Sequence, residues 1–341
     1  MKLSDFDFDL PRDRIALRPA RPRDASRLLL VGEGLGQRNM SDLPHELEAG
    51  DLLILNDTRV LPVRLTGNSG GREVEVTLIA PEDVCWSAFA KPAKPLRPGD
   101  QIDFAPGFSA RVVEKRIAGD VLLDFGCDTA EVLRRLDDIG RMPLPPYMAR
   151  EADERDRTDY QTTYARAPGA IAAPTAGLHF TPELFSALDA RGIRHCTVTL
   201  HVGAATFLPV RGDDIQNHIL APEWGEIGDG AVAAYNETRA AGGRIVAVGT
   251  TSLRLLESAA GDDGTLAAFR GDTTLFVTPG YRFRTADFLL TNFHLPRSTL
   301  FMLVCAFAGT SRMKHAYAQA VAEGFRFYSY GDACLLERAA A

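Results

Sequence analysis

DLLILNDTRVLP, residues 51–62, decides how this chain is organised. It opens as a strand-like run of Leu and Ile and ends in Asn56, Asp57, Thr58 and Arg59, polar residues at a strand end. Comparable runs return only after about residue 160: HCTVTLHV, GRIVAVG and ADFLLTNF. These alternate with helix-like TPELFSALDA, GAVAAYNETRAAG, TSLRLLESAA and STLFMLVCAFA, the pattern of an α/β sheet. Residues 51–57 read as a strand of that same sheet, so what lies between is an insertion.

The insertion has its own texture. REVEVTLIA, CWSAFAK, DQIDFA, SARVVEK and DVLLDFG are short runs, several with period-2 alternation, punctuated by Gly, Pro and Asp. They predict a small antiparallel barrel or sandwich. A helix over 130–139 and the proline-stiffened GRMPLPPYMAR lead out of it. The expected architecture is a large α/β domain, discontinuous over 1–60 and 148–341, with an inserted small antiparallel β-barrel domain at 61–147.

Composition narrows the classes. The 341 residues are 45% hydrophobic and 24% charged, as in ordinary globular proteins, with a formal net charge of −7. An acidic chain does not attract nucleic acid globally, so an RNA partner needs a local basic patch. The opening MKLSDFDFDLPRDRIAL lacks an apolar signal segment, and the longest apolar run, Leu300–Ala308, is too short to span a membrane. Five cysteines without a CxxC pair fit a reducing cytoplasm. The seven histidines show no HxH or HExxH spacing, so no metal site is expected. GxSxG is also missing. The GxGxG of Gly32–Gly36 is followed by QRNMSDLPHELE, where Pro44 blocks an early helix; it reads as a hairpin turn, not a nucleotide loop.

Polar residues gather at strand ends. In RHCTVTLHVG, Cys196, Val198, Leu200 and Val202 share one face; His195, Thr197, Thr199 and His201 share the other, and Gly203 ends the strand. His201 thus stands at a carboxyl end, where open α/β sheets bind ligands. IVAVGTTSLRLLES places Gly249, Thr250, Thr251 and Ser252 at a helix start, a cradle for a carboxylate, phosphate or sugar hydroxyl in which a hydroxyl caps the helix. LLTNFHLPRSTLF sets Asn292 and His294 before a helix capped by Ser298. APTAGLHF brings Thr175, Gly177 and His179 up to a helix with Thr181 as N-cap and Pro182 at its first position. Two stretches mix arginine with aromatics, PGYRFRTADF and EGFRFYSYGDA; alternation puts Arg326, Tyr328 and Tyr330 on one strand face. AKPAKPLRPGD offers Lys91, Lys94 and Arg97 to phosphates.

Read together, LLILNDTRVLPVRL, MPLPPYMAR, DYQTTYA, APTAGLHFT, TLHVGAATFLPV, VGTTSLRLLES, TPGYRFRTADFLLTNFHLPRSTLFMLVCAFAG and FRFYSYGDACLL closely resemble the S-adenosylmethionine:tRNA ribosyltransferase-isomerases of queuosine biosynthesis, across almost the whole chain. One departure stands out. Where the family has two histidines spaced H-x-x-H, this chain reads NHILAPEWGE, with His218 kept and Ala221 in the second place.

The resemblance implies an α/β domain with an inserted barrel, S-adenosylmethionine as co-substrate without a separate cofactor or metal, and tRNA as partner. It implies transfer of the ribosyl unit to the aminomethyl group of a 7-deazaguanine wobble base, with isomerisation to an epoxycyclopentanediol and release of adenine and methionine. Such chemistry needs a base at the ribose C5′, a proton for adenine and an uncharged amine, tasks that suit histidine. His179, His201 and His294 are the candidates, with Asp57 and Asp332 as alternates. Asn56, Thr58, Arg59, Thr175, Gly177, Gly203, Gly249, Thr250, Thr251 and Asn292 are expected to line the pocket. Arg254, Arg282, Arg326 and Tyr330 are expected to meet the tRNA, unless the arginines serve structural ion pairs. A cytoplasmic monomer is expected. The alternatives are an S-adenosylmethionine-dependent RNA methyltransferase, which would yield methylated product instead of adenine, or a non-catalytic RNA-binding protein.

Overall fold

A computed structural model describes residues 1–116, 119–203, 215 and 220–340. The chain divides into two compact units, one of residues 1–59, 161–167 and 173–341, the other of 60–160 and 168–172.

The first unit is built on a nine-stranded sheet: β1 (Arg27–Val31), β2 (Leu35–Asn39), β3 (Leu52–Asn56), β4 (Arg194–Leu200), β5 (Glu223–Ile227), β6 (Ile245–Val248), β7 (Phe269–Thr273), β8 (Phe288–Asn292) and β9 (Ala333–Glu337). Their spatial order is β7-β5-β4-β3-β6-β8-β9-β1-β2. The central four, β4-β3-β6-β8, are mutually parallel. Every residue of β3 is buried. The reason is that both faces of the sheet are covered, which requires an apolar run with no polar face. On one side Leu53 and Leu55 join Val246, Val248, Leu290, Phe180, Leu184 and Leu188 in a single core. The last two come from α1 (Pro182–Ala190), whose N-cap Thr181 accepts from Leu184 N. The other long helices of this unit are α2 (Asp229–Ala240), α3 (Thr250–Ala259), α4 (Thr299–Ala308) and α5 (Thr310–Ala322). Ser298 caps α4, and Gly309 ends it at φ 93°. The Gly32–Gly36 stretch is the β1–β2 hairpin, with Val31 opposite Leu35.

Direction matters more than count. β9 is antiparallel to β8 and parallel to β1. The amino ends of β9 and β1 therefore lie at the same sheet edge as the carboxyl ends of the central four. That geometry adds Asp332 and Ser26 to the rim.

The second unit is a closed antiparallel barrel of Arg64–Ser69, Arg72–Glu82, Cys85–Lys91, Gln101–Ala105, Phe108–Lys115 and Asp120–Asp124. Alternate residues such as Val74, Val76, Leu78 and Ile102, Val112, Leu123 fill its interior. A helix, Thr129–Ile139, follows. This unit reaches to residue 160, past the 147 expected from the sequence, because Arg157 donates to the carbonyls of Asp137 (3.1 Å) and Gly140 (2.8 Å). Those bonds hold the segment after the prolines on the barrel side.

Two local expectations are overturned. Arg326–Tyr330 is not a strand: Phe327 makes one isolated bridge to Ile15, Tyr328 sits at φ 75°, and Gly331 N closes a turn on Tyr328 O. No hydroxyl caps α3 either. Its N-cap is Gly249 at φ 89°, while Ser252 Oγ turns back to Val248 O at 2.8 Å.

Candidate active site

The four strand ends that carry polar residues are neighbours in the sheet, because β4, β3, β6 and β8 are consecutive in its order. Hydrogen bonds tie them together. Asn56 pairs its side-chain amide with the Leu200 backbone, accepting from N at 3.0 Å and donating to O at 2.9 Å. Its Nδ2 also reaches Thr251 Oγ1 at 3.3 Å. One asparagine on β3 thereby fixes the ends of β4 and β6. Across β6, Gly249 N donates to Leu290 O at 2.7 Å, and a side chain at Gly249 would face Ala176.

The three histidines occupy different surroundings. His179 closes a 3-10 turn, Thr175–His179, and is buried. Asn292 Nδ2 donates to its Nε2 at 3.1 Å, which puts the ring proton on Nδ1, 2.7 Å from Ser26 Oγ. Burial depresses its pKa to about 4, against the opposing pull of Asp332. His294 is also buried, bonded through Nε2 to Thr291 Oγ1 at 3.1 Å, and burial takes its pKa to about 3. Its backbone N–H is taken by Tyr317 Oη at 3.0 Å, which makes it part of the packed interior.

His201 is half-buried. Thr58 Oγ1 holds its Nδ1 at 2.8 Å, and its ring lies against Trp224, centroids 5.1 Å apart and planes 20° apart. Burial lowers its pKa while Asp57 opposes the shift. Among the described residues Nε2 has no hydrogen-bond partner.

The carboxylates are already occupied. Asp57 accepts from Arg166 (3.0 Å) and Thr199 Oγ1 (2.7 Å). Asp332 accepts from Arg27 N (3.1 Å), Arg326 N (2.8 Å) and the Arg326 guanidinium (3.0 Å). Asp332 thereby tethers the backbone at Arg27 and Arg326, while Asp57 ties the side chains of Arg166 and Thr199 to the end of β3. The Arg326 guanidinium is spent on Asp332, and Arg254, 7% exposed, pairs with Glu223 and the Leu275 carbonyl. Neither stands out as a phosphate contact; the ion-pair alternative describes them. Arg282 is exposed, Arg59 is half-buried and Tyr330 is buried. Gly203 N donates to Glu223 Oε1 at 3.1 Å. His218 lies outside the described residues, and Ala221 is exposed just ahead of β5.

Gly177 has a steric reason. A Cβ there would overlap the Tyr164 hydroxyl and come within 2.9 Å of Thr162 Cγ2. Among the described residues Asn292 Oδ1 is buried without a partner, an uncommon state in a folded interior and one expected where a ligand completes the bonding. Among the described residues no group of three His, Cys, Asp or Glu is placed to hold a metal ion, and no helix is long and apolar enough to cross a membrane.

Sequence reasoning missed Ser26 and Trp224. Each reaches the rim only through sheet order: β1 beside β9, and β5 beside β4 with His201 N donating to Trp224 O at 2.9 Å.

Comparison with known proteins adds the remaining finding. The sequence model of a family described as Queuosine biosynthesis protein matches residues 3–336. An S-adenosylmethionine:tRNA ribosyltransferase-isomerase from Rhodospirillum rubrum is 55% identical, with 99% of each chain covered. Its namesake from Rhizorhabdus wittichii is 57% identical, covering 98% of this chain and 99% of that one. A crystal structure of S-adenosylmethionine tRNA ribosyltransferase from Thermotoga maritima is 33% identical, covers 97% of this chain and 99% of that one, and superposes with a TM-score of 0.56. With end-to-end agreement at more than half identity, the chain belongs to the queuosine biosynthesis protein family of S-adenosylmethionine:tRNA ribosyltransferase-isomerases.

Proposed function

We propose that this chain transfers and isomerises the ribosyl unit of S-adenosylmethionine onto the 7-aminomethyl-7-deazaguanine wobble base of tRNA, releasing adenine and methionine. The observation that carries the reading at the level of residues is the joining of adjacent strand ends, β3 to β4 and to the turn after β6 by Asn56 and β6 to β8 by the Gly249–Leu290 backbone bond, beside a helix start that no side chain caps among the described residues.

The uncapped N-terminus of α3 presents backbone N–H groups and the positive end of the helix dipole. With Thr250 and Thr251 it suits the methionine carboxylate. Gly249, at a positive φ, allows the ligand to approach the backbone closely. Asn292, with one amide atom unspent, suits a ribose hydroxyl.

His201 is the best-suited proton carrier. Its Nδ1 is held by Thr58 and its Nε2 has no partner among the described residues, so the ring is oriented and still able to exchange a proton. His179 has both nitrogens engaged and a depressed pKa, which suits a neutral positioning role. His294 belongs to the core that supports Asn292. The driving force comes from the sulfonium, which acidifies the C5′ protons and departs as methionine, so the reading calls for no separate cofactor. The protein works on tRNA in the cytoplasm as a monomer under this reading.

The test incubates the protein with S-adenosylmethionine and tRNA carrying the aminomethyl-deazaguanine, and follows adenine by chromatography. Adenine release that depends on the modified tRNA is expected. Methylated tRNA with S-adenosylhomocysteine as by-product would replace this reading with that of a methyltransferase.

A further inference from the structure

We propose that His201 and Trp224 together form a stacking wall for the adenine ring of the co-substrate. The ligand's identity rests on the ribosyl-transfer reading, while the wall itself rests on geometry.

The β4–β5 ladder sets Leu200 opposite Gly225, so the next residues, His201 and Trp224, face each other across two strands. Their rings lie 5.1 Å apart and within 20° of parallel. Thr58 fixes the imidazole from one side, and the ladder bond from His201 N to Trp224 O fixes the backbone beneath. Both residues are half-exposed. Stacked on each other, the two rings brace one another, and an outer face of the pair is a flat π-surface of the kind that takes a planar heteroaromatic ring by stacking.

Placement selects adenine. Asn56 bonds both Leu200 O, beside His201, and Thr251 Oγ1, in the first turn of α3. Only β3 separates β4 from β6, so wall and helix start are about 10 Å apart, two strand spacings. One end of the cradle suits an aromatic ring and the other a carboxylate. A purine and an amino-acid carboxylate at opposite ends of one molecule are what S-adenosylmethionine carries.

The chain has two tryptophans, Trp224 and the buried Trp86 of the barrel, so indole fluorescence reads the wall against one fixed background. Intact protein is titrated with adenine, S-adenosylmethionine, methionine and free 7-aminomethyl-7-deazaguanine, as wild type, Trp224→Phe and Trp224→Leu. Adenine and S-adenosylmethionine are expected to quench the wild type and methionine to leave it unchanged. Both variants lose the quench. Trp224→Leu weakens S-adenosylmethionine binding, followed by calorimetry, by roughly tenfold, and Trp224→Phe by a few-fold, since a phenyl ring still stacks. The proposal is overturned if Trp224→Leu, with native circular dichroism, binds adenine as the wild type does. It is equally overturned if only the deazaguanine quenches. Trp224-dependent adenine binding in a protein that never releases adenine from S-adenosylmethionine would uphold the wall and remove the transfer reading.

Discussion

His179, His201 and His294 share a residue type and differ in what their ring nitrogens touch, and the difference predicts separate phenotypes. His201→Gln should lower kcat by about 10²- to 10⁴-fold, the range of a lost proton-transfer group, with little change in melting temperature. His201 needs to be neutral to act as a base, and burial lowers its pKa, so the acid limb of kcat/KM should fall below the ordinary 6.5 of imidazole. Asp57 opposes that shift, so Asp57→Asn should move the limb further down. His179 and His294 should mark stability. Folded, they bind protons only near pH 4 and 3; unfolded, near 6.5. Between those values the unfolded chain holds more protons, so stability is full above about pH 6.5 and is lost as the pH falls toward 4. Urea midpoints measured from pH 7 to 4 should decline, and His294→Gln should flatten the decline. A flat curve in the wild type would contradict the buried, neutral state of both rings.

At the scale of elements, the Thr175–His179 turn depends on a missing side chain. Gly177→Ala forces a methyl against the Tyr164 hydroxyl, so the turn or the tyrosine has to shift. A destabilisation of about 1–3 kcal/mol is expected, with a larger loss of turnover because His179 closes the same turn. Adding Tyr164→Phe removes the clashing oxygen and should recover part of both, which chemical denaturation and adenine release would read. Much at this scale is legible in sequence. The apolar run of 52–56 identifies β3, Thr181-Pro182 identifies the start of α1, and period-2 runs identify the barrel strands. What escapes is long-range. Arg326–Tyr330 alternates like a strand, yet Asp332 captures Arg326 and curls the segment. Trp224 carries no local signal, because its place beside His201 arises from pairing with a strand more than twenty residues earlier. α3 starts on Gly249 instead of a hydroxyl, and no side chain caps it among the described residues.

At the scale of the whole molecule, the net charge of −7 opposes binding to a polyanion, so tRNA contact has to come from cations left unneutralised. Lys91, Lys94 and Arg97 are exposed in the barrel, and no ion pair engages them among the described residues. Reversing the three to Glu should raise KM for tRNA by at least tenfold at moderate salt while leaving the dissociation constant for S-adenosylmethionine unchanged. The wild-type difference should shrink as salt rises. An unchanged tRNA KM would remove this loop from the RNA-facing surface and leave the exposed Arg282 as the next candidate.

The reversal at β9 carries a consequence for biosynthesis. β1 leaves the ribosome early, but apart from its hairpin with β2 its partner is β9, made roughly three hundred residues later. Until that partner emerges, Ser26 and Asp332 have no common edge. The barrel strands pair only among themselves and follow one another closely in the chain, so they can zip up during translation. The inserted barrel is thus expected to pair up before the sheet rim is complete, which requires β9.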